Sequence, residues 1–153
     1  MLTLDEVYKK FGETCEAAQL LETELGNKLL VLRGLEEDLF ASKDPKRAAQ
    51  IVEDIDTSTC GKLITLLKKK SRVPDDLESL LCDALTERNR LSHSFYRQHN
   101  FRRNSEDGRT VMLADLELIH QTILKAYKAM LLLSGIDLDA VTSVPAPTRH
   151  LPI

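Results

Sequence analysis

The stretch LDEVYKKFGETCEAAQLLETELGNKLLVLRGLEEDLFA, residues 4–41, decides the fold class. Apolar side chains recur in it at Leu4, Val7, Phe11, Cys15, Ala18, Leu21, Leu25, Leu29, Leu32, Leu35 and Leu39, the three-to-four spacing of one helix face. Thr3 ahead of Glu6 has the pattern of a capping box, in which hydroxyl and carboxylate each satisfy an amide near the helix start. Gly12, Gly26 and Gly34 each cost about 1 kcal/mol relative to Ala inside a helix, which places any break near Gly26-Asn27. The stripe keeps its phase across the two later glycines, so one long helix to about Ala41 is expected.

Outward from this helix the same period continues. Ser42-Lys43-Asp44-Pro45 reads as a stop followed by a start, with Asp44 as N-cap and Pro45 at the first helical position. A short helix to about Asp56 would bury Ala48, Ile51, Val52 and Ile55. Thr57-Ser58-Thr59-Cys60-Gly61 breaks it and opens a third, with Leu63, Ile64, Leu66 and Leu67 inward. Lys68-Lys69-Lys70 at its end complements the helix dipole, which accounts for these lysines without nucleic-acid contact. Val73-Pro74-Asp75-Asp76 starts a fourth helix, expected to persist to about Arg97.

From His99 to Arg109 the apolar pattern lapses, and Asn104-Ser105-Glu106-Asp107-Gly108 reads as an exposed turn. A last helix is expected from about Thr110 to Ser134, with Leu113, Leu116, Ile119, Ile123, Leu124, Tyr127, Met130 and Leu131 on one side and Gly135 as its C-terminal cap. His120 projects into that stripe and reads as a satisfied core histidine. Strand-like alternation and internal repeats are absent. The expectation is all-α: an antiparallel bundle of four to five helices forming one domain over residues 1–135, with residues 136–153 as a flexible or surface-laid tail.

Composition agrees with such a bundle. The chain has 153 residues, 42% hydrophobic and 29% charged, enough to bury a core without disulfides or a structural metal. Aromatic residues make up only 5%, with no Trp, and a core of Leu, Ile and Ala favours helices over sheets. Cys15, Cys60 and Cys82 are odd in number and without paired spacing, which suits reduced thiols in the cytoplasm. Neither a signal peptide nor an apolar run of about 20 residues is visible, so no membrane span is expected.

Net charge is −3, unevenly spread. Residues 1–44 hold ten acidic and five basic side chains, whereas residues 87–109 hold six Arg against Glu87, Glu106 and Asp107. This basic region surrounds Glu87-Arg88-Asn89-Arg90-Leu91-Ser92-His93-Ser94-Phe95-Tyr96, at the end of the fourth helix. Leu77, Leu81, Ala84, Leu85, Leu91 and Phe95 share an apolar stripe, and Arg88 projects into its middle. A guanidinium there needs a partner: a buried ion pair, a polar cleft, or a second subunit.

Most catalytic signatures are missing: no glycine-rich phosphate loop, no His-Glu-x-x-His, no Cys-x-x-Cys, no Gly-x-Ser-x-Gly. The histidines lack the neighbours of a zinc site, so neither a metal nor another cofactor is expected. What remains is Arg88, Asn89 and His93. Asn89 and His93 are four apart and share a face, whereas Arg88 and His93 diverge by about 140° around an intact helix. Two copies of the helix about a two-fold axis would bring the Arg of one to the His of the other, a composite site in a homodimer.

Metal-free phosphodiester cleavage of RNA suits this set. The imidazole of His93 can exchange a proton with a 2′-hydroxyl or leaving oxygen, and Arg88 can hold the phosphate and stabilise the extra charge of the pentacoordinate transition state. Asn89 would orient either group. Arg90, Arg97, Arg102 and Arg103 would draw RNA to the surface.

Arg88-Asn89-Arg90-Leu91-Ser92-His93, on the penultimate long helix of a small all-α chain and followed by aromatics, resembles the HEPN superfamily (higher eukaryotes and prokaryotes nucleotide-binding). Its signature is Arg, a polar residue that is often Asn, then His four to six positions beyond the Arg. The resemblance implies a dimerising helical bundle with both Arg–His pairs in a shared cleft. It also implies a metal-independent ribonuclease of a toxin–antitoxin or other defence system, with an antitoxin protein as partner, or else an inactive module that binds RNA, nucleotide or protein. In members paired with a nucleotidyltransferase antitoxin, a modifiable Tyr lies two positions after the His; here Phe95 holds that place and Tyr96 follows. Modification there is therefore not carried over to this chain.

Overall fold

The computed structural model describes residues 1–141, and the expected tail beyond Val141 lies outside the described residues. Among them are six α-helices and no strand: α1 (Leu4–Glu36), α2 (Pro45–Asp56), α3 (Cys60–Lys70), α4 (Asp75–His93), α5 (Phe95–His99) and α6 (Glu106–Leu133), with a 3-10 turn at Asn100–Asn104. Among the described residues no helix is long and apolar enough to cross a membrane.

Local chemistry sets most of these boundaries. Thr3 caps α1 as the sequence suggests, its hydroxyl accepting from the Glu6 amide while Glu6 Oε2 accepts from the Thr3 amide at 2.7 Å. The helix runs through Gly26 unbroken, so the long-helix reading holds there. It stops at Glu36, five residues short of the expected end, because Asp38 takes a positive φ of 52° and the Leu39 amide turns back to the Gly34 carbonyl at 2.9 Å. Asp44 and Pro45 start α2 in the expected roles, and Thr59 caps α3.

The core is contiguous and draws on all six helices. Leu21, Leu25 and Leu29 of α1 and Leu116, Ile119 and Ile123 of α6 lie at its centre, with Leu81 and Ala84 of α4 and Phe95 of α5 sealing one end. α1 and α6 form the main packing, α4 lies on α6, and α2 and α3 cover α1. In α2 only Ile51 and Ile55 are buried; Ala48 and Val52, expected inside, stay exposed and line an open groove with Leu30, Leu39 and Phe40.

The region after α4 departs most from the sequence expectation. The helix does not persist to Arg97 but ends at His93, where Ser94 (φ −139°) returns its amide and hydroxyl to the Arg90 carbonyl at 3.0 and 3.2 Å. α6 then begins at Glu106 rather than Thr110, with Ser105 Oγ accepting from the Gly108 amide at 3.1 Å. Gly108, which looks like a turn residue, is buried in the first turn of α6; an added Cβ would lie 2.1 Å from the Arg102 carbonyl oxygen. It is there for close packing of the 3-10 turn against α6. At the other end Gly135 (φ 76°) donates to the Leu132 carbonyl at 3.0 Å and Ile136 to that of Leu131 at 3.1 Å, a Schellman stop.

Candidate functional site

The last two turns of α4 carry the motif. Arg88 leaves the apolar stripe only at its tip: its side chain is 24% exposed, and Nε donates to Glu22 Oε1 of α1 at 2.6 Å. Of the partners that an Arg in this stripe could have, the chain itself supplies one, a half-buried ion pair between α1 and α4. The Cys60 thiol lies beside that pair; burial and the Glu22 charge push it up to about 11, against the opposing effect of Arg88, so it stays protonated and is no nucleophile.

Because Glu22 takes Nε, the terminal nitrogens of Arg88 are turned toward Asn89, whose Oδ1 accepts from Nη1 at 3.3 Å. The Nη2 edge has no protein partner among the described residues, leaving donors for an anion. Asn89 and His93 are exposed, and His93 has no hydrogen-bond partner among the described residues. No break separates Arg88 from His93 within α4. The divergence of about 140° therefore applies to the folded chain, which brings together Arg88 and Asn89 but not Arg88 and His93.

The surrounding arginines divide into two kinds. Arg90 is turned inward and fully engaged: Nη1 and Nη2 each donate to Asp115 of α6 at 2.7 Å, Nε donates to Glu87 at 2.9 Å, and Nη1 also reaches Gln98 at 3.2 Å. Asp115 receives a third donor, His99 Nε2 at 2.7 Å, and the buried His99 ring accepts from Arg102 Nη1 at its other nitrogen at 3.2 Å. The guanidinium can only donate to Nδ1, so Nε2 carries the hydrogen that the Asp115 carboxylate accepts. Arg90 and His99 together hold the Asp115 carboxyl below the usual carboxylate range, Arg90 contributing more. This cluster joins α4, α5, the 3-10 turn and α6.

Arg97 and Arg103, by contrast, are exposed and their guanidinium groups are free of protein partners among the described residues, while Arg102 is exposed beyond its contact with His99. Tyr96 stacks against Phe11 and Phe95 with ring centroids 5.2 and 5.3 Å away, and burial raises its phenol. His120, expected as a satisfied core histidine, is half-buried and meets Lys10 Nζ at 2.8 Å. No cluster of three His, Cys, Asp or Glu side chains among the described residues has the arrangement of a metal site.

Sequence reasoning missed Glu22, Asp115 and His99. Glu22 is one acidic residue among many on α1, and only its position opposite Arg88, 66 residues away, marks it. Asp115 carries a weak signal: it interrupts the apolar residues of α6 between Val111 and Leu118 on one face. No family model, curated protein or solved structure matches this chain.

Proposed function

We propose that the chain is a HEPN-like endoribonuclease that acts as a homodimer, without a metal ion, on single-stranded RNA. The observation that carries this reading is the state of the Arg88-x4-His93 pair. Among the described residues Arg88 is oriented by Glu22 and Asn89 with an edge left open, and His93 is exposed and has no partner at the end of the same unbroken helix. An anion-binding guanidinium held in place beside an amide, with an unconstrained imidazole one and a half turns on, is the equipment of 2′-hydroxyl attack on phosphorus.

The divergence of the pair supports the two-chain form, since a second α4 supplies the missing member of each site. So does the α6 face beside the motif. Val111 and Leu118, 46% and 64% exposed, flank Asp115 on one stripe, and Asp115 is tied to Arg90 at the end of α4. Burying that face against another copy would lay two α4 ends side by side. Arg97, Arg102 and Arg103 would then guide the RNA backbone toward the cleft. Service as the toxin of a toxin–antitoxin or defence pair belongs to the same proposal and rests on the motif alone.

The test is cleavage of single-stranded RNA in the presence of a chelator, with 2′,3′-cyclic phosphate ends as product. Arg88→Ala and His93→Ala should each abolish it. Co-expressing the two variants should restore about one active site per mixed dimer, because one chain contributes Arg88 and the other His93. RNA binding without cleavage by the parent chain would assign it instead to the binding modules of the same superfamily, and a monomer at high concentration would rule out the composite site.

A further inference from the structure

The ion pair that orients Arg88 has a second side. Glu22 also lines a groove of about 460 Å³ between α1 and α2, floored by Gly26 and Ile55 and edged by Gln19, Asn27 and Asp56. The floor exists because Gly26 lets α2 close onto α1: a Cβ there would stand 3.0 Å from Ile55 Cγ2. Only Oε1 of Glu22 is taken by Arg88; Oε2 receives no hydrogen bond among the described residues, and neither do the side chains of Gln19, Asn27 and Asp56.

Asp56 stands at the rim of this groove. It is in the last turn of α2, where a carboxylate is disfavoured by the helix dipole, and among the described residues it lacks the ion-pair partner that its neighbour Asp54 finds in Arg33 at 3.2 Å. Two carboxylates, with no lining cation among the described residues, repel a phosphate, yet they attract N–H donors. Two side-chain amides add donors as well as acceptors, and the floor is apolar.

Building on the proposed ribonuclease, we infer that this groove is a nucleobase subsite that takes guanine next to the phosphate held by Arg88. Among the four RNA bases only guanine presents two adjacent donors, N1–H and N2–H, on its Watson–Crick edge, which a carboxylate accepts in parallel. Its O6 beside them accepts from an amide such as that of Asn27 or Gln19. Unpaired RNA exposes that edge and the flat face that would lie over Gly26 and Ile55. Glu22 links the two subsites, one oxygen on the phosphate-binding Arg88 and the other turned to the base.

Two measurements test this. In titrations of isotopically labelled protein, guanosine should shift the side-chain amide signals of Asn27 and Gln19 saturably while adenosine should not, and Asp56→Asn should weaken that response about tenfold. In cleavage of oligoribonucleotides carrying a single guanosine, inosine or adenosine, the parent should favour guanosine by about tenfold, with inosine between. Asp56→Asn should remove most of that preference. Asp56 is exposed, so its variant is expected to melt with the parent; Asn27→Ala serves as a second variant. Cleavage that requires Arg88 and His93 but shows neither guanosine shifts nor a guanosine preference overturns the subsite alone. Guanosine shifts lost in Asp56→Asn, with cleavage indifferent to His93→Ala, keep the subsite and overturn the ribonuclease.

Discussion

The Arg90 guanidinium grips the Asp115 carboxylate with two parallel hydrogen bonds of 2.7 Å, fastening the end of α4 to the middle of α6. His99 and Arg102 extend the grip to α5 and the 3-10 turn, so one carboxylate organises the whole segment after the motif. Asp115→Asn keeps the shape but removes the charge that three donors converge on. It should cost about 2 kcal/mol, read from the denaturant midpoint at neutral pH. The pH dependence has a definite sign. A carboxyl whose pKa is lowered by folding contributes stability that is present above the ordinary value, near about 4, and is lost as pH falls through the lower folded value. The parent should therefore lose its advantage over Asp115→Asn in acid, and equal differences at pH 7 and pH 3 would mean that the carboxylate charge is not what matters.

His93 presents the opposite case. It is exposed, makes no hydrogen bond among the described residues, and ends its helix. His93→Ala should change stability by less than about 0.5 kcal/mol. The same substitution should reduce RNA cleavage at least about a hundredfold, the range expected for loss of a proton-transfer group. A variant that loses activity only in proportion to folded protein would make His93 structural.

The division among the arginines predicts different phenotypes for residues that look alike in sequence. Arg97 and Arg103 are exposed and their guanidinium groups have no partner among the described residues, so replacing both with Ala should leave the melting temperature unchanged. The slope of log affinity for single-stranded RNA against log salt should fall by about 1.4, roughly 0.7 for each phosphate contact. Arg90→Ala should instead unfold the segment after His93, because it strands Glu87 and Asp115. Equal salt slopes for parent and double variant would remove these arginines from the RNA path.

Where the sequence was informative, the determinants are local. The Thr3–Glu6 capping box, the Asp44-Pro45 start and the Gly135 stop each act within a turn of their own position, and all three appear in the folded chain. Apolar periodicity located the buried faces of α1, α3 and α6. The break at Ser94 was hidden because Leu91 and Phe95, four apart, stay in phase and are both buried across it. Partnerships at long range left no trace: an Arg on an apolar stripe announces that it needs a carboxylate, and nothing along the chain says that Glu22 supplies it. The same limit applies to Arg90, whose inward turn depends on an aspartate 25 residues away.

Gly108 and Gly12 show why the same residue type carries opposite predictions. Both lie inside helices, where Gly costs about 1 kcal/mol relative to Ala through backbone freedom lost on folding. At Gly12 an added Cβ meets nothing within 4 Å, so Gly12→Ala should recover most of that cost and raise the unfolding free energy by about 0.5 to 1 kcal/mol. At Gly108 a Cβ would stand 2.1 Å from the Arg102 carbonyl oxygen, a backbone atom that cannot swing aside. Gly108→Ala must push the 3-10 turn off α6, costing about 2 kcal/mol or more. The displacement would also loosen the Arg102–His99–Asp115 chain, since Arg102 belongs to that turn. Amide exchange should therefore quicken across residues 99–108 in Gly108→Ala while the centre of α1 stays protected. Uniform quickening would mean that the turn and the core unfold as one unit.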